Sequence, residues 1–316
     1  HLAVAVAKAG AFAFLAGGYT TPGVLAVAIS QVRSRSDAFG VNLFAPHVSP
    51  ISEVEFRRYA RRLQPEAQRW GVDLSRAPLT EDDDGWQDKL DLLLADPVPV
   101  VSVTFGLPRP ADVTALRRAG SQVWVTVTTV LEARAAADAG ADVLVVQGSA
   151  AGGHSGTHDA LRRITPMPTT ELTTAVVAAT GRPVVAAGGV DGPRRVVELL
   201  RAGARAVAVG TLLLRTDESG ASQTHKDALA RPGGETVLTR AFTGRPARAL
   251  RNAFIERHDL AAPAGYPAVH HLTRPLRAAA AAAGDPDGLH LWAGTGFRCA
   301  TTGPARQVVA ELARLL

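Results

Sequence analysis

The organisation of this chain follows from one stretch, which reads Val143-Leu-Val-Val-Gln-Gly-Ser-Ala-Ala-Gly-Gly-His-Ser-Gly-Thr-His158. Its first four residues are apolar and follow a helical pattern that ends at Gly140, so they predict a strand buried on both faces. The next residues are rich in glycine, which lets backbone N–H groups approach a ligand closely because it has no Cβ. His154 stands in this loop, where an imidazole can move protons near neutral pH. A surface turn with an incidental histidine is the alternative for the loop taken alone.

Helical and strand patterns alternate on both sides of this stretch. Apolar runs predict seven strands, near residues 11–15, 39–44, 99–105, 122–127, 142–147, 183–187 and 206–210. Buried strands that alternate with helices are typical of a parallel α/β sheet. The chain starts on a helix, whereas an α/β barrel starts on a strand, so we predict a (β/α)8 TIM barrel that lacks its first strand. A doubly wound open sheet is the alternative.

Two segments depart from this alternation. Residues 45–96 are longer and polar, and we interpret them as a helical insertion over the barrel mouth. Residues 212–316 are interpreted as a C-terminal helical segment, with a helix over 216–229 and a basic amphipathic stretch at 240–257 that packs outside the barrel. We expect both segments to belong to a single domain that spans residues 1–316.

Glycine turns follow the last two predicted strands. The strand at 183–187 leads into Gly188-Gly189, and the strand at 206–210 ends in Gly210-Thr211. Barrels of this type often bind phosphate with the loops after their seventh and eighth strands, and these strands take those places once the missing one is counted. The two turns therefore predict a ligand that carries a phosphate group.

Composition excludes several classes of protein. With 316 residues and 47% hydrophobic content, the chain can form one large core. Its net charge of +5 comes from arginines scattered over helical stretches, which argues against a nucleic-acid partner. No run approaches the roughly 18 uninterrupted apolar residues of a membrane span. Cys299 is the only cysteine, which excludes an intrachain disulfide and favours a cytoplasmic location.

The sequence predicts no metal site. It contains no cysteine pair and no His-x-x-x-His pattern on a helix. The neighbours His270 and His271 face apart on either regular element, so we do not expect them to bind one metal ion.

Several motifs together resemble a known family. The stretch Gln147-Gly-Ser-Ala-Ala-Gly-Gly-His-Ser-Gly156 is similar to the Gln-Gly-x-Glu-Ala-Gly-Gly-His-x-Gly signature of the nitronate monooxygenases, formerly called 2-nitropropane dioxygenases. Further matches follow in the family's order along nearly the whole chain, namely Phe39-Gly-Val-Asn-Leu43, Val103-Thr-Phe-Gly-Leu-Pro108, Ala187-Gly-Gly-Val190, Val209-Gly-Thr211 and Leu291-Trp-Ala-Gly-Thr-Gly296. The combination is highly specific for this barrel family and less specific for the reaction.

The resemblance implies an FMN-dependent barrel that oxidises alkyl nitronates with O₂ to a carbonyl compound and nitrite. By its place in the motif, His154 corresponds to the histidine that lies over the flavin and serves as base for neutral nitroalkanes or orients the nitronate. The positions that match FMN-binding residues of the family are Asn42, Gln147, Gly152, Gly189, Ala208, Val209, Gly210 and Thr211. Gly153, Gly188 and Gly294 are implied to lie beside them.

Three departures from the family pattern stand out. The glutamate of the signature is Ala150 here, and the family's first strand has no counterpart before His1. The family's Gly-Gly-Leu-Gly around the second strand reads Gly10-Ala-Phe-Ala13. Three other functions stay open: an FMN-dependent enoyl-acyl-carrier-protein reductase that uses NADH, an NADH:quinone reductase of the same superfamily, and a non-catalytic scaffold. The motifs at 104–108 and 291–296 favour a nitronate monooxygenase. The sequence leaves open the physiological substrate and whether the chain forms a homodimer.

Overall fold

The computed structural model describes residues 1–46 and 50–316, and its centre is a parallel sheet of seven strands. The strands are β1 (Ala13–Ala16), β2 (Phe39–Phe44), β3 (Val100–Thr104), β4 (Gln122–Val127), β5 (Val143–Gln147), β7 (Val184–Ala187) and β8 (Ala206–Ala208). They lie side by side in chain order, and the sheet curls around itself. A doubly wound sheet would reverse its strand order at a switch point. The structure therefore confirms a TIM-barrel-like α/β fold that lacks one closing strand.

Helices cover the outer face of this sheet. They are α2 (Pro22–Arg33), α4 (Trp86–Ala95), α5 (Pro110–Arg118), α6 (Val130–Asp138), α7 (Thr169–Thr180) and α8 (Pro193–Arg201), with α1 (Leu2–Lys8) packed on α12 (Ala305–Ala313). Four helices of this layer, α5 to α8, are each followed by a glycine with positive φ, namely Gly120, Gly140, Gly181 and Gly203. In the part of the chain that the structure describes, no helix combines the length and the apolar character needed to cross a bilayer.

A second apolar cluster lies outside the barrel layer. Its helices are α3 (Glu53–Arg69) and α11 (Ala268–Ala282), which pack against each other through side chains such as Leu63 and Leu272. By contrast, α4 contacts α2 and α5 and is therefore part of the outer helix layer. Of the two helices that the structure describes in the segment 45–96, α3 thus lies outside the regular β/α units and α4 within them.

The segment 212–316 is not wholly helical. Besides α9 (Gln223–Ala230), α10 (Ala253–His258), α11 and α12 it contains two strands, β9 (Thr236–Thr239) and β10 (Ala247–Leu250). The helix predicted over 216–229 begins only at Gln223, because the Ser222 side chain accepts a hydrogen bond from the backbone N–H of His225 and caps it there.

The expectation that residues 240–257 pack outside the barrel is wrong. Strand β10 pairs antiparallel with β9 and also with β6 (Gly153–His154), so it lies directly beside the predicted catalytic histidine. The alternation Ala247-Arg-Ala-Leu250 has the period of a strand, and the arginine between two buried alanines reaches backbone carbonyls rather than solvent.

Candidate active site

The predicted phosphate turns are neighbours in the structure. Ala187 is paired with Ala208 in the register of β7 and β8, so the turns that follow these residues leave the sheet side by side. Two further loops join them. The backbone N–H of Gly294 donates to Thr211 Oγ1 at 3.0 Å, and that of Thr295 donates to the carbonyl oxygen of Ala150 at 3.0 Å. Four glycine-containing loops thus meet at the carboxyl ends of the strands.

Two of the glycines in these loops are needed for packing between the loops. A Cβ on Gly152 would lie 2.4 Å from the backbone nitrogen of Gly294, and a Cβ on Gly294 would lie 2.8 Å from the carbonyl oxygen of Ala150. Gly189 has a φ of +74°, and its Cβ would lie 3.0 Å from the Cβ of Ala150. Gly210 differs, because nothing lies within 4 Å of the place where its Cβ would be. Gly210 therefore borders open space.

This open space suits a phosphate. The backbone N–H groups of Gly189 and Gly210 have no hydrogen-bond partner among residues 1–46 and 50–316, and Thr211 begins a short 3-10 turn. Free N–H groups at the start of a helical turn carry partial positive charge, which attracts an anion. The turns therefore offer donors, positive potential and room for a phosphate group.

Polar side chains line the inside of the sheet next to these loops. Thr104 Oγ1 donates to Asn42 Oδ1 at 2.9 Å and lies 3.1 Å from Thr126 Oγ1. On β5, Gln147 Nε2 donates to the carbonyl oxygen of His154 at 3.1 Å, and Gln147 Oε1 accepts from the N–H of Gly156 at 2.7 Å. Gln147 thus fixes the loop that follows its own strand. Asn42 and Gln147 both stand at the end of the sheet where the glycine loops meet.

His154 is packed among aromatic rings at this mouth. Its ring centroid lies 5.2 Å from that of Trp292 and 5.8 Å from those of Phe105 and Tyr266, and Phe105 directly follows β3. Burial, together with the positive charges of Arg245 and Arg277, lowers the pKa of His154 to about 3. The imidazole is therefore neutral near pH 7.

Five rings beside this histidine contact one another in a closed circuit. The ring centroids of Tyr19 and Phe44 are 5.3 Å apart, those of Phe44 and Phe105 are 4.5 Å apart, and those of Phe105 and Tyr266 are 5.6 Å apart. Tyr266 contacts His270 at 6.3 Å, and His270 stacks flat on Tyr19 at 4.3 Å, which closes the circuit. The circuit has no signature in the sequence, because its rings come from separate segments of the chain. We call them the aromatic circuit.

Backbone strain accompanies two members of the aromatic circuit. Tyr19 has a φ of 59° and Phe105 a φ of 82°, values that residues other than glycine rarely adopt. The N–H of Tyr19 donates to Asp84 Oδ1 at 2.9 Å, and Asp84 forms an ion pair with the buried Lys89 at 2.7 Å. Such strain persists only where surrounding contacts enforce it, and it clusters at functional sites.

Three arginines from the segment around β9 and β10 hold the loop that bears His154. The buried Arg245 donates to the carbonyl oxygens of Ser155 and Thr157, and its guanidinium lies 4.0 Å from the centre of the Phe105 ring. Arg248 Nε donates to the carbonyl oxygen of Ser149 at 2.8 Å. Arg240 donates to the carbonyl oxygen of Ala160 at 3.1 Å. We call this set the arginine clamp. It was not predictable from the sequence, because scattered arginines are usually solvated.

The adjacent histidines of α11 face different partners, as expected. Arg277 Nη2 lies 3.3 Å from His270 Nδ1, whereas His271 Nε2 lies 2.8 Å from Asp82 Oδ2. Within the described part of the chain, no group of three or more His, Cys, Asp and Glu side chains is arranged to hold a metal ion.

A curled parallel sheet with glycine loops and a half-buried histidine at its carboxyl end defines the class of α/β-barrel enzymes. The model of the family described as nitronate monooxygenase matches residues 1–314. The chain belongs to the nitronate monooxygenase family, which is a family of flavin-dependent oxidoreductases, and it is an oxidoreductase.

Individual relatives agree with this assignment. The chain is 33% identical to a probable nitronate monooxygenase of Staphylococcus aureus (strain Newman), over 98% of this chain and 89% of the relative. Among solved structures, a nitroalkane oxidase from Streptomyces ansochromogenes is 46% identical and superimposes with a TM-score of 0.93, over 99% of this chain and 91% of the other. FabK from Thermotoga maritima is 24% identical with a TM-score of 0.75, over 99% and 87%, and shares the fold.

Proposed function

We propose that this protein binds FMN and oxidises alkyl nitronates with O₂ to a carbonyl compound and nitrite, with neutral nitroalkanes as further substrates. The observation that carries the proposal is the placement of His154 and the paired turns at 188–189 and 209–211 at one end of the sheet. The similarity to the nitroalkane oxidase of Streptomyces ansochromogenes supports the same reaction class.

The residues present fit FMN. The N–H groups of Gly189 and Gly210 would hold the phosphate, and the side-chain amides of Asn42 and Gln147 would supply polar partners for the isoalloxazine ring. When bound, the flavin supplies the electron chemistry, accepting electrons from the substrate and passing them to O₂. The glycine loops would leave room for it, because a Cβ on Gly210 meets nothing in this structure.

The remaining side chains act on the substrate. His154 is neutral and can accept a proton from the carbon next to the nitro group of a neutral nitroalkane. The buried guanidinium groups of Arg245 and Arg277 create positive potential, which favours an anionic nitronate. The aromatic circuit presents apolar ring surface to an alkyl chain and excludes water from it.

The reaction class is tested by mixing the purified yellow protein with candidate reductants in the absence of O₂. We expect a small alkyl nitronate to bleach the flavin absorbance and NADH to leave it unchanged. Bleaching by NADH, with no response to nitronate, would instead support an enoyl-acyl-carrier-protein reductase or a quinone reductase. A colourless protein that takes up no added FMN would support the non-catalytic scaffold.

The aromatic circuit predicts a limit on substrate length. Tyr19 is half exposed at the rim of the site, with 50% of its surface accessible, and its ring lies on His270. In Tyr19→Ala we expect KM to fall for longer nitronates, by about 4-fold for each additional methylene that becomes buried. Steady-state kinetics over a series of primary nitronates checks this. Tyr19→Phe keeps the ring, so its KM values should depend on chain length as they do in the wild-type protein. The same dependence in Tyr19→Ala would place the alkyl chain elsewhere.

A further inference from the structure

One contact of His154 is not explained by the family motif. His154 Nε2 lies 2.9 Å from the hydroxyl of Thr243, which is buried in the turn between β9 and β10. This turn is firmly held, because the Tyr59 hydroxyl donates to the carbonyl oxygen of Ala241 at 2.7 Å and the Thr273 hydroxyl donates to that of Phe242. The hydroxyl of Thr243 therefore has a fixed position relative to the imidazole.

The hydroxyl of Thr243 has one proton and two candidate acceptors. It lies 2.9 Å from His154 Nε2 and 3.3 Å from the carbonyl oxygen of Arg245. Arg245 is fully buried, and within residues 1–46 and 50–316 its carbonyl oxygen has no hydrogen-bond donor other than this hydroxyl. A buried carbonyl without a partner is costly, so the hydroxyl proton belongs to that carbonyl. His154 Nε2 must then carry a proton and donate it to Thr243 Oγ1.

The second ring nitrogen of His154 has different surroundings. In the described residues Nδ1 has no hydrogen-bond partner, and it is not among the side-chain atoms that are sealed from solvent without one. With the proton on Nε2, the lone pair of the neutral ring is on Nδ1. The nitrogen that can accept a proton is thus the one with no protein partner.

We propose that Thr243 is a positioning residue that holds His154 as the Nε2–H tautomer and leaves Nδ1 as the basic nitrogen for the substrate. The hydroxyl acts through the imidazole and does not itself touch the reacting atoms. The arginine clamp supports the arrangement, because the backbone of Arg245 is the acceptor of the Thr243 proton while its guanidinium holds Ser155 and Thr157. The catalytic meaning of this tautomer rests on the function proposed above.

The test reads the tautomer directly in the flavin-loaded protein. Two-bond ¹H–¹⁵N correlation spectra of ¹⁵N-histidine-labelled protein distinguish a protonated from an unprotonated ring nitrogen, and the His154 signals are assigned by their loss in His154→Gln. We expect wild-type His154 to be protonated on Nε2. In Thr243→Val we expect a shift toward a mixture of tautomers, whereas Thr243→Ser should keep the wild-type pattern. Thr173→Val is the matched control, since it removes an equally buried threonine hydroxyl on α7, which donates to the backbone carbonyl of Thr169 and makes no contact with this turn or the imidazole.

Kinetics provide the second readout. We expect Thr243→Val to lower kcat for neutral nitroalkanes by about 10-fold, with recovery in Thr243→Ser, because a misoriented base loses part of its general-base contribution. If the wild-type protein carries the His154 ring proton on Nδ1, the proposal is wrong. It is also wrong if Thr243→Val has the same spectrum and the same kcat as the wild-type protein. If the tautomer behaves as expected but no nitronate is oxidised, the proposed function is wrong and the role of Thr243 stands. The wild-type spectrum needs no variant, so misfolding of one variant leaves the test intact.

Discussion

His154→Ala should lower the turnover of neutral nitroalkanes by about 100-fold or more, while the turnover of preformed nitronates changes only a few-fold. Oxidation of a neutral nitroalkane requires removal of a proton from carbon, and the neutral His154 ring has a lone pair that can accept it near pH 7. A preformed nitronate has already lost this proton. Only the first substrate therefore depends on the imidazole as a base.

The pKa of His154 sets the pH range of this comparison. Because its pKa is lowered to about 3, the imidazole stays neutral from about pH 5 to 9. The loss of nitroalkane turnover in His154→Ala, divided by the loss of nitronate turnover, should therefore be constant over this range. Oxygen uptake by the wild-type and variant proteins measures the turnover of both substrates. His271→Ala, which removes a histidine paired with Asp82, is the control. Equal losses on nitroalkane and nitronate would exclude proton transfer by His154.

In Gly210→Leu we expect the affinity for FMN to fall by about 10- to 100-fold, since a side chain forced into occupied space typically costs about 1–3 kcal/mol. The φ of Gly210 is −124°, which any residue adopts, and its Cβ would meet nothing in the protein. The substituted protein should therefore fold, with the leucine in the space proposed for the phosphate. Flavin absorbance after purification and titration with FMN measure the loss.

The choice of glycine matters in this experiment. Gly189 is less suitable, because its φ of +74° and its closeness to Ala150 would strain the backbone in any variant. Gly220 is the matched control: it is exposed, lies outside the glycine loops, and has open space at its Cβ position. Full flavin occupancy in Gly210→Leu would place the phosphate away from the turns at 188–189 and 209–211.

Local patterns in the sequence were enough to predict the sheet. A buried parallel strand is a short apolar run between a helix and a turn, so β2, β4 and β5 could be located from neighbouring residues alone. The paired turns at 188–189 and 209–211 were also predictable, since the register of a parallel sheet places successive carboxyl ends at one edge.

The rest of the site depends on contacts between distant segments. Strand β6 has only two residues, too few for any periodicity, and its partner β10 lies far along the chain. The arginine clamp places charge beside backbone carbonyls and an aromatic face, and nothing in the local composition distinguishes such arginines from solvated ones. Side-chain neighbours of His154 such as Thr243 and Tyr266 were missed for the same reason.

The arginine clamp also bears on how this site can be transferred between proteins. Arg245 and Arg248 hold backbone groups that lie 88 to 99 residues earlier in the chain. The Gly-Gly-His signature on its own therefore lacks the groups that shape it. If that signature were grafted onto a different barrel, the histidine would be transferred without the arginines that hold its loop in place. A transferable site therefore needs the signature together with the hairpin of β9 and β10.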